Sequence, residues 1–473
     1  MSIKIALPKG RLLADTAALL QEASWGLNGY HEGARLYRLK PQRFPELLAK
    51  IFQEKDIPIQ VAIGNYDIGI CGLDWIEELL VKYPNSALVK VKNLGYSEDA
   101  LYMAASRLGA VSTLEEIGAK PDTIRIASEY PNLAESFAVN LRLRRFSVFP
   151  LWGAAEVYPP ENADLVLIPG YNKESLNNGL IPIGKVLDYS AFLIANRNSW
   201  ETKDMGDILT SLEKVLPASS KRVPSENMPK APKIKRKYKY QKTTEDAVRL
   251  ALPDGHQQIP TLQLLNKAGI QVEDYPSETG NRRPTTNLEG IVIKVIRPQD
   301  MPLQVANGNF DLAITGRDWL RDHFYRFPSS PVDEVLVLGF GKVRIVVVVS
   351  KDLHVSSTDD LRKMRKDSAL RVASEYVNIA DKYAHDNHLV PYKLIPTWGA
   401  SEALLPEDAD VLIENTETGS TIAKHNLKII DTLFESSACL IGNTEAIRRP
   451  DKKDKIAYLV ETMRRGVEAS CVS

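Results

Sequence analysis

The 473-residue sequence has few cysteines, no excess of charge of either sign and no long apolar run. Its three cysteines, Cys71, Cys439 and Cys471, are odd in number, scattered and without CxxC spacing. That argues against a disulfide framework and a thiolate metal site, and suggests a reducing, cytosolic compartment. Lys plus Arg and Asp plus Glu each number 60, so the net charge is zero. The surface as a whole makes no case for nucleic acid or an anionic membrane, and any cationic site has to be local. No stretch approaches the about 20 uninterrupted apolar residues of a membrane span. The start, residues 3–7 followed by Pro8-Lys9-Gly10-Arg11, lacks an apolar run behind a basic opening, so neither export nor insertion is expected.

The chain does hold a repeat of domain length. Ala6-Leu7-Pro8 returns as Ala251-Leu252-Pro253, and Asp56-Ile57-Pro58 as Asp300-Met301-Pro302. Gly64-Asn65-Tyr66-Asp67 with Gly72 and Asp74-Trp75 returns as Gly308-Asn309-Phe310-Asp311 with Gly316 and Asp318-Trp319. Ala127-Ser128-Glu129-Tyr130 matches Ala373-Ser374-Glu375-Tyr376, and Trp152-Gly153-Ala154 with Glu156 matches Trp398-Gly399-Ala400 with Glu402. A register of about 245 residues held this long means duplication of a whole folding unit, not a solenoid of short repeats. Each half is expected to fold around its own core.

Short β-branched runs such as residues 3–7, 68–70 and 165–168 alternate with helical-period segments such as residues 12–23 and 44–53. This is the βαβ rhythm of a parallel sheet, and the fold class is α/β. Fresh strands after a Gly-containing crossing (residues 100–104 and 344–349), and a return at residues 190–195, give each half two lobes with a cleft between them. The first repeat spans 1–220, with lobe I at 1–94 and 186–220 and lobe II at 95–185. A basic linker, 221–245, holds the run Lys233 to Lys239; it reads as a solvated connector, with an anion-binding strand as the alternative. The second repeat spans 246–473, with lobe I at 246–338 and 429–473 and lobe II at 339–428.

The strongest chemical motif is the run from Ala409 to Ile422. It is a buried-type strand ending at the acidic Glu414, followed by Asn415, Thr416, Glu417 and a Thr418-Gly419-Ser420-Thr421 turn that opens a helix. Gly419 lets backbone approach phosphate oxygens, the hydroxyls and N–H groups are donors, and a helix N-terminus adds its dipole. Glu414 is placed to accept from ribose hydroxyls. A lone TGST is equally an ordinary N-cap; the acidic strand end before it favours a 5-phosphate cradle.

Here the sequence resembles the short catalytic form of ATP phosphoribosyltransferase, the first enzyme of histidine biosynthesis. The loop carries that family's strand, acid and TGxT pattern. Leu7-Pro8-Lys9-Gly10-Arg11-Leu12 resembles its PKGRL opening, Arg297 with Asp300-Met301-Pro302 its R-x-x-D-I-P, and Asp311 to Asp318 its DLGITGxD. The resemblance covers both halves. It implies units like type II periplasmic binding proteins, two in tandem, with phosphoribosyl pyrophosphate and ATP in an interlobe cleft. It further implies Mg2+ carried mainly by the pyrophosphate, and attack by N1 of adenine on the anomeric carbon. Arginines and preorganised donors suit a departing pyrophosphate.

The halves depart from the family pattern in different places. Where the second reads Thr418-Gly419-Ser420-Thr421 the first reads Asn172-Lys173-Glu174-Ser175, and Arg297 corresponds to Gln53. The first keeps Lys9-Gly10-Arg11 where the second has Asp254-Gly255-His256. The resemblance therefore implies a composite site. Arg297, Glu414, Lys9 and Arg11 are its catalytic candidates, and Thr416, Glu417, Thr418, Gly419, Ser420 and Thr421 hold phosphoribose. Arg35 or Arg38 reaches across, and Trp398 and Glu402 stand near the acceptor. Trp398 and Trp152 are candidates for stacking on a base, or else lobe-core anchors. His385 and His388 read as a solvated helix end and not as metal ligands, and Gly339-Phe340-Gly341 as a lobe-crossing hinge. The match runs nearly to Ser473, which implies no C-terminal histidine-sensing module. A regulatory subunit or a homo-oligomer is the implied assembly. The other readings are a phosphoribosyltransferase with a different acceptor and a non-catalytic sensor of the same fold.

Overall fold

The computed structural model describes residues 3–32, 37–109, 113–170, 179–216, 244, 246–278, 280–364, 369–399 and 401–471. Arg35, residues 172–175 and the run 233–239 lie outside them. The chain forms two compact units. The first is Met1–Pro150, Ala163–Arg236 and Trp398–Ala403, and the second is Leu151–Asn162, Lys237–Thr397 and Leu404–Ser473. The units therefore do not follow the repeats throughout, because each takes in the Trp-Gly-Ala segment of the other repeat.

In the first unit, one sheet has the strand order Arg38–Leu39, Leu47–Gln53, Ile3–Lys9, Ile68–Gly72, Ala191–Asn196, Leu88–Asn93. The other runs Leu180–Tyr189, Asp99–Ser106, Leu165–Pro169, Ile124–Ser128, Phe146–Pro150. Separate clusters, one around Ile5, Leu19 and Trp25 and one around Met103, Ile126 and Leu165, fill the two lobes. The second unit repeats the design. Its first sheet runs Ile291–Ile296, Val248–Pro253, Leu312–Gly316, Ala438–Asn443, Val332–Val337. Its second runs Tyr392–Pro396, Leu370–Ser374, Val411–Thr416, Val343–Ser350, Leu427–Ser436, and the two pack around Leu250 and Val347 respectively.

Two sequence expectations need correction. The sheets are mixed and not parallel: Ala191–Asn196 runs antiparallel to both Ile68–Gly72 and Leu88–Asn93, and Ala438–Asn443 does likewise in the second unit. A returning strand that pairs antiparallel needs no crossover helix. Residues 44–53, read as helical, contain the strand Leu47–Gln53, which pairs in parallel with Ile3–Lys9. The Leu, Ala, Lys and Gln residues there favour helix, but pairing on both sides and burial of Leu47, Ala49, Ile51 and Phe52 override propensity. The β-branched run Ile291–Ile296, at the same place in the other repeat, was the signal that resolves the ambiguity.

The repeated Gly-x-Asp-Trp motif has a steric basis. A Cβ on Gly72 would lie 2.1 Å from Asp74 Oδ1, and one on Gly316 would lie 2.0 Å from Asp318 Oδ1. Each glycine makes room for the carboxylate at the start of the following helix.

Candidate functional site

In the second unit the strand Val411–Thr416 lies between Leu370–Ser374 and Val343–Ser350, with Val411, Leu412 and Ile413 fully buried. It ends at buried Thr416, whose hydroxyl accepts the N–H of Gly419 at 2.9 Å. The N–H of Ser420 donates to Thr418 Oγ1 at 3.3 Å, and the Thr418 hydroxyl donates to Ser420 Oγ at 3.1 Å. Gly419 has φ +77°, a conformation that costs an L side chain about 1–2 kcal/mol. A Cβ there would meet nothing nearer than Ile429 Cδ1 at 3.9 Å, so glycine is required for its backbone angle and not for want of space.

Glu417, Thr418, Ser420 and Thr421 are exposed, which leaves their hydroxyl and carboxyl groups on the open side of the turn. The following helix, Ser420–Lys424, has only five residues. Its dipole is correspondingly small, and the N–H groups of Gly419 and Ser420 already bond within the turn, so the cradle expected from the sequence depends mainly on hydroxyls. Glu414 is half-buried and accepts the N–H of Asn415 at 3.0 Å.

Asn415 links this strand to the other sheet of its unit. Its Nδ2 donates to the Tyr376 hydroxyl at 2.9 Å, which in turn donates to Asp318 Oδ2 at 2.6 Å. Ser436 Oγ donates to the other oxygen of Asp318 at 2.8 Å. Burial, together with Asp318 and Glu414, pushes the Tyr376 hydroxyl well above its ordinary range, so it stays a donor. The Tyr376 ring lies 4.3 Å from Trp319, and Trp319 meets half-buried Trp152 edge to face at 5.7 Å.

At the end of Val248–Pro253, Asp254 binds two guanidinium groups. Arg297 Nη1 donates to Asp254 Oδ1 and Arg282 Nη1 to Oδ2, both at 2.9 Å. Arg282 also lies 3.4 Å from Glu156. The Asp254 side chain is 10% exposed, whereas Arg297 is 42% exposed and keeps an open side.

The first unit contains the other candidates. Lys9 lies 5.5 Å over the Tyr37 ring. Arg11 bridges two acids, with Nη2 at 2.7 Å from Glu54 and 3.0 Å from Asp74, and its guanidinium is 4.8 Å from the Tyr189 ring centroid. Burial opposes its charge, but Asp74 and Glu54 outweigh burial and keep it protonated more firmly than a free arginine. Tyr130 donates to Asp74 at 2.9 Å, as Tyr376 does to Asp318 in the second unit. Half-buried Trp398 lies under Lys55 at 5.1 Å, and Glu402 sits on the turn Ser401–Leu404. The structure thus brings Arg297, Glu414 and residues 416–421 into one unit, and Lys9, Arg11, Trp398 and Glu402 into the other.

The sequence reading missed Arg282, Tyr376, Asp318 and Asn415 as site neighbours. Tyr376 and Asp318 stand inside repeated motifs, a signal used for register and, for Asp318, for the family resemblance, but not for the site. Arg282 corresponds to Tyr37, so the repeat gives no sign of it.

The ATP phosphoribosyltransferase family model matches residues 53–214 and again residues 297–465. An ATP phosphoribosyltransferase of Sulfolobus acidocaldarius is 34% identical over 222 residues, covering 46% of this chain and 72% of that one. Among solved structures, the ATP phosphoribosyl transferase (HisG:HisZ) complex from Thermotoga maritima aligns at a TM-score of 0.39 and 21% identity, over 47% of this chain and 99% of that one. The alkanesulfonate-binding protein SsuA from Xanthomonas axonopodis pv. citri aligns at a TM-score of 0.30 and 14% identity, over 45% of this chain and 72% of that one. With both halves matched by one family model over most of their length, the chain belongs to the ATP phosphoribosyltransferase family.

Proposed function

We propose that this chain catalyses the first step of histidine biosynthesis, with phosphoribosyl pyrophosphate bound in the second unit. The bond from the anomeric carbon to pyrophosphate breaks, a bond from N1 of ATP to that carbon forms, and pyrophosphate leaves. The turn around Gly419, which joins an acidic strand end to exposed hydroxyls, is the observation that carries this reading. Thr416 fixes the turn from beneath, and Thr418, Ser420 and Thr421 donate to the 5-phosphate. Glu414 and Glu417 accept from ribose hydroxyls, and Arg297 faces the pyrophosphate. Donors fixed before the reaction stabilise the charge that develops on the leaving group without reorganising.

Among the described residues no group of three His, Cys, Asp or Glu is placed to hold a metal. The hard carboxylate oxygens of Glu414 and Glu417, the nearest of the loop, suit Mg2+ brought on the pyrophosphate. Bound there, the ion would neutralise charge on the leaving group. No helix among the described residues is long and apolar enough to cross a membrane. A regulatory subunit or a second copy of the chain belongs to the same proposal.

The test is pyrophosphate release from phosphoribosyl pyrophosphate, ATP and Mg2+, followed alongside the near-ultraviolet change of an N1-substituted adenine, with Gly419→Val as the control. Signal in the wild type alone is expected. Absence of both turnover and phosphoribosyl pyrophosphate binding in the wild type would overturn the proposal.

A further inference from the structure

The two units place different side chains at the same three backbone positions. In the first, Lys9 pairs in register with Gln53, one step beyond Pro8 with Phe52. In the second, Pro253 pairs with Ile296, so Asp254 and Arg297 occupy the next step. The third position is fixed by one backbone hydrogen bond made in both units. The N–H of Ile51 donates to the carbonyl of Tyr37 at 2.9 Å, and that of Val295 to the carbonyl of Arg282 at 2.9 Å. Lysine, tyrosine and glutamine in the first unit are thus aspartate, arginine and arginine in the second.

Each set carries one net positive charge. In the first it sits on an ammonium stacked over Tyr37. In the second a buried carboxylate gives one oxygen to each of two guanidiniums, at 2.9 Å in both cases. The carboxylate is itself anchored, because the N–H of Asp254 donates to the carbonyl of Ile296, the residue before Arg297, at 3.1 Å. Arg297 is therefore held both by its own backbone and by a fixed acceptor, with one side open.

We propose that Asp254 is a positioning residue that aims Arg297, with Arg282 as its counterweight, at the pyrophosphate of the substrate; this rests on the reading of Arg297 given above. A free arginine has to lose rotamer freedom on binding an anion, whereas one already oriented by a charge-assisted hydrogen bond loses less. Asp254 takes no part in the bonds that form and break.

The sign of one substitution separates positioning from plain electrostatics. Asp254→Asn removes a negative charge beside a polyanion site. If charge alone matters, phosphoribosyl pyrophosphate binds more tightly. If orientation matters, it binds about tenfold more weakly, and Asp254→Glu, which keeps the charge, recovers part of the loss. The dissociation constant would be measured by calorimetry in the full chain for wild type, Asp254→Asn, Asp254→Glu, Arg297→Ala and the Asp254→Asn/Arg297→Ala double variant, with circular dichroism as the fold check. The expected result is weaker binding in Asp254→Asn that shrinks to about twofold or less once Arg297 is absent, since the two residues act as one device. Tighter or unchanged binding in Asp254→Asn, or an equal loss with and without Arg297, would overturn the proposal while leaving the site reading intact. An unaffected Arg297→Ala would overturn the site reading itself, and the proposal with it. If Asp254→Asn fails to fold, Asp254→Glu decides: a longer acid that misplaces Arg297 weakens binding, and wild-type affinity there overturns the proposal.

Discussion

In the first unit a strand ends at Lys9 over a tyrosine, and two residues later half-buried Arg11 bridges Glu54 and Asp74. In the second the equivalent strand is followed by an aspartate paired with two arginines, and exposed His256 stands where Arg11 would be. Of the two acids that Arg11 pairs with, only Asp74 has a counterpart, Asp318, which takes its hydrogen bonds from the hydroxyls of Ser436 and Tyr376. A position at the edge of a core can reverse its charge when its partners change with it, because burial penalises an unpaired charge and not one sign. In one copy the positive charge is closed into a salt-bridge cluster, and in the other Arg297 keeps an open side.

Substitutions that fall on one side of this contrast can break it. The largest effect is expected from Gly419→Val in the second unit. A β-branched residue at φ +77° forces the turn out of shape, and phosphoribosyl pyrophosphate binding should fall below detection by calorimetry. The melting temperature should fall only by what about 1–2 kcal/mol of local backbone strain costs, since no atom lies within 3.9 Å of the new Cβ. An equally large loss of stability would mean that the turn is structural.

Arg11→Ala in the first unit should do the opposite. It leaves Glu54 and Asp74 buried side by side without their cation, and removing one partner from such a cluster costs about 3–5 kcal/mol. Denaturant unfolding should show that loss. A variant as stable as wild type would show that the cluster contributes little to this unit's stability.

The smallest effect concerns pH. Glu78 accepts the N–H groups of Asn132 and Leu133, both at 2.9 Å, yet burial raises it from 4.5 to about 7. Between those values the folded chain holds a proton that the unfolded chain releases, so stability present below pH 4.5 is lost as pH rises through about 7. Glu78→Gln should flatten the melting temperature across that window, and an unchanged slope would assign it to another group. Asp322, which accepts the N–H groups of Asn378 and Ile379 at the equivalent place in the second unit, is raised in the same direction by burial.

Full-length protein is the material for each test. Residues 246–473 alone lack Leu151–Asn162, which belongs to the second compact unit and is tied there by Arg283 to Glu161 at 2.8 Å and by the N–H of Trp152 to Asp300 at 2.9 Å. Each repeat keeps its own core clusters, and it is the Trp-Gly-Ala segments that are taken in by the other compact unit.

Much of the second-unit site was legible in the sequence because its parts are local. Glu414, Thr416 and Gly419 lie within a few residues, and a strand end followed by a turn with glycine at positive φ is specified by neighbours along the chain. The repeat likewise fixed the equivalence of the two halves, and a comparison of Leu47–Gln53 with Ile291–Ile296 would have corrected the one misread strand.

Partnerships between distant residues were not legible. Asp254 was visible as a departure from the repeat, but its two arginines lie 28 and 43 residues away in sequence. Arg11 has the same residue type and setting as a substrate ligand, and only packing shows that two acids already hold it. The sequence by itself determined the duplication, the fold class and the glycine turn after Thr416, since each is written in local pattern or in register. Tertiary structure alone decided which charges are paired and which stay open, because a side chain's electrostatic partners are set by the sheet register and burial that bring them together.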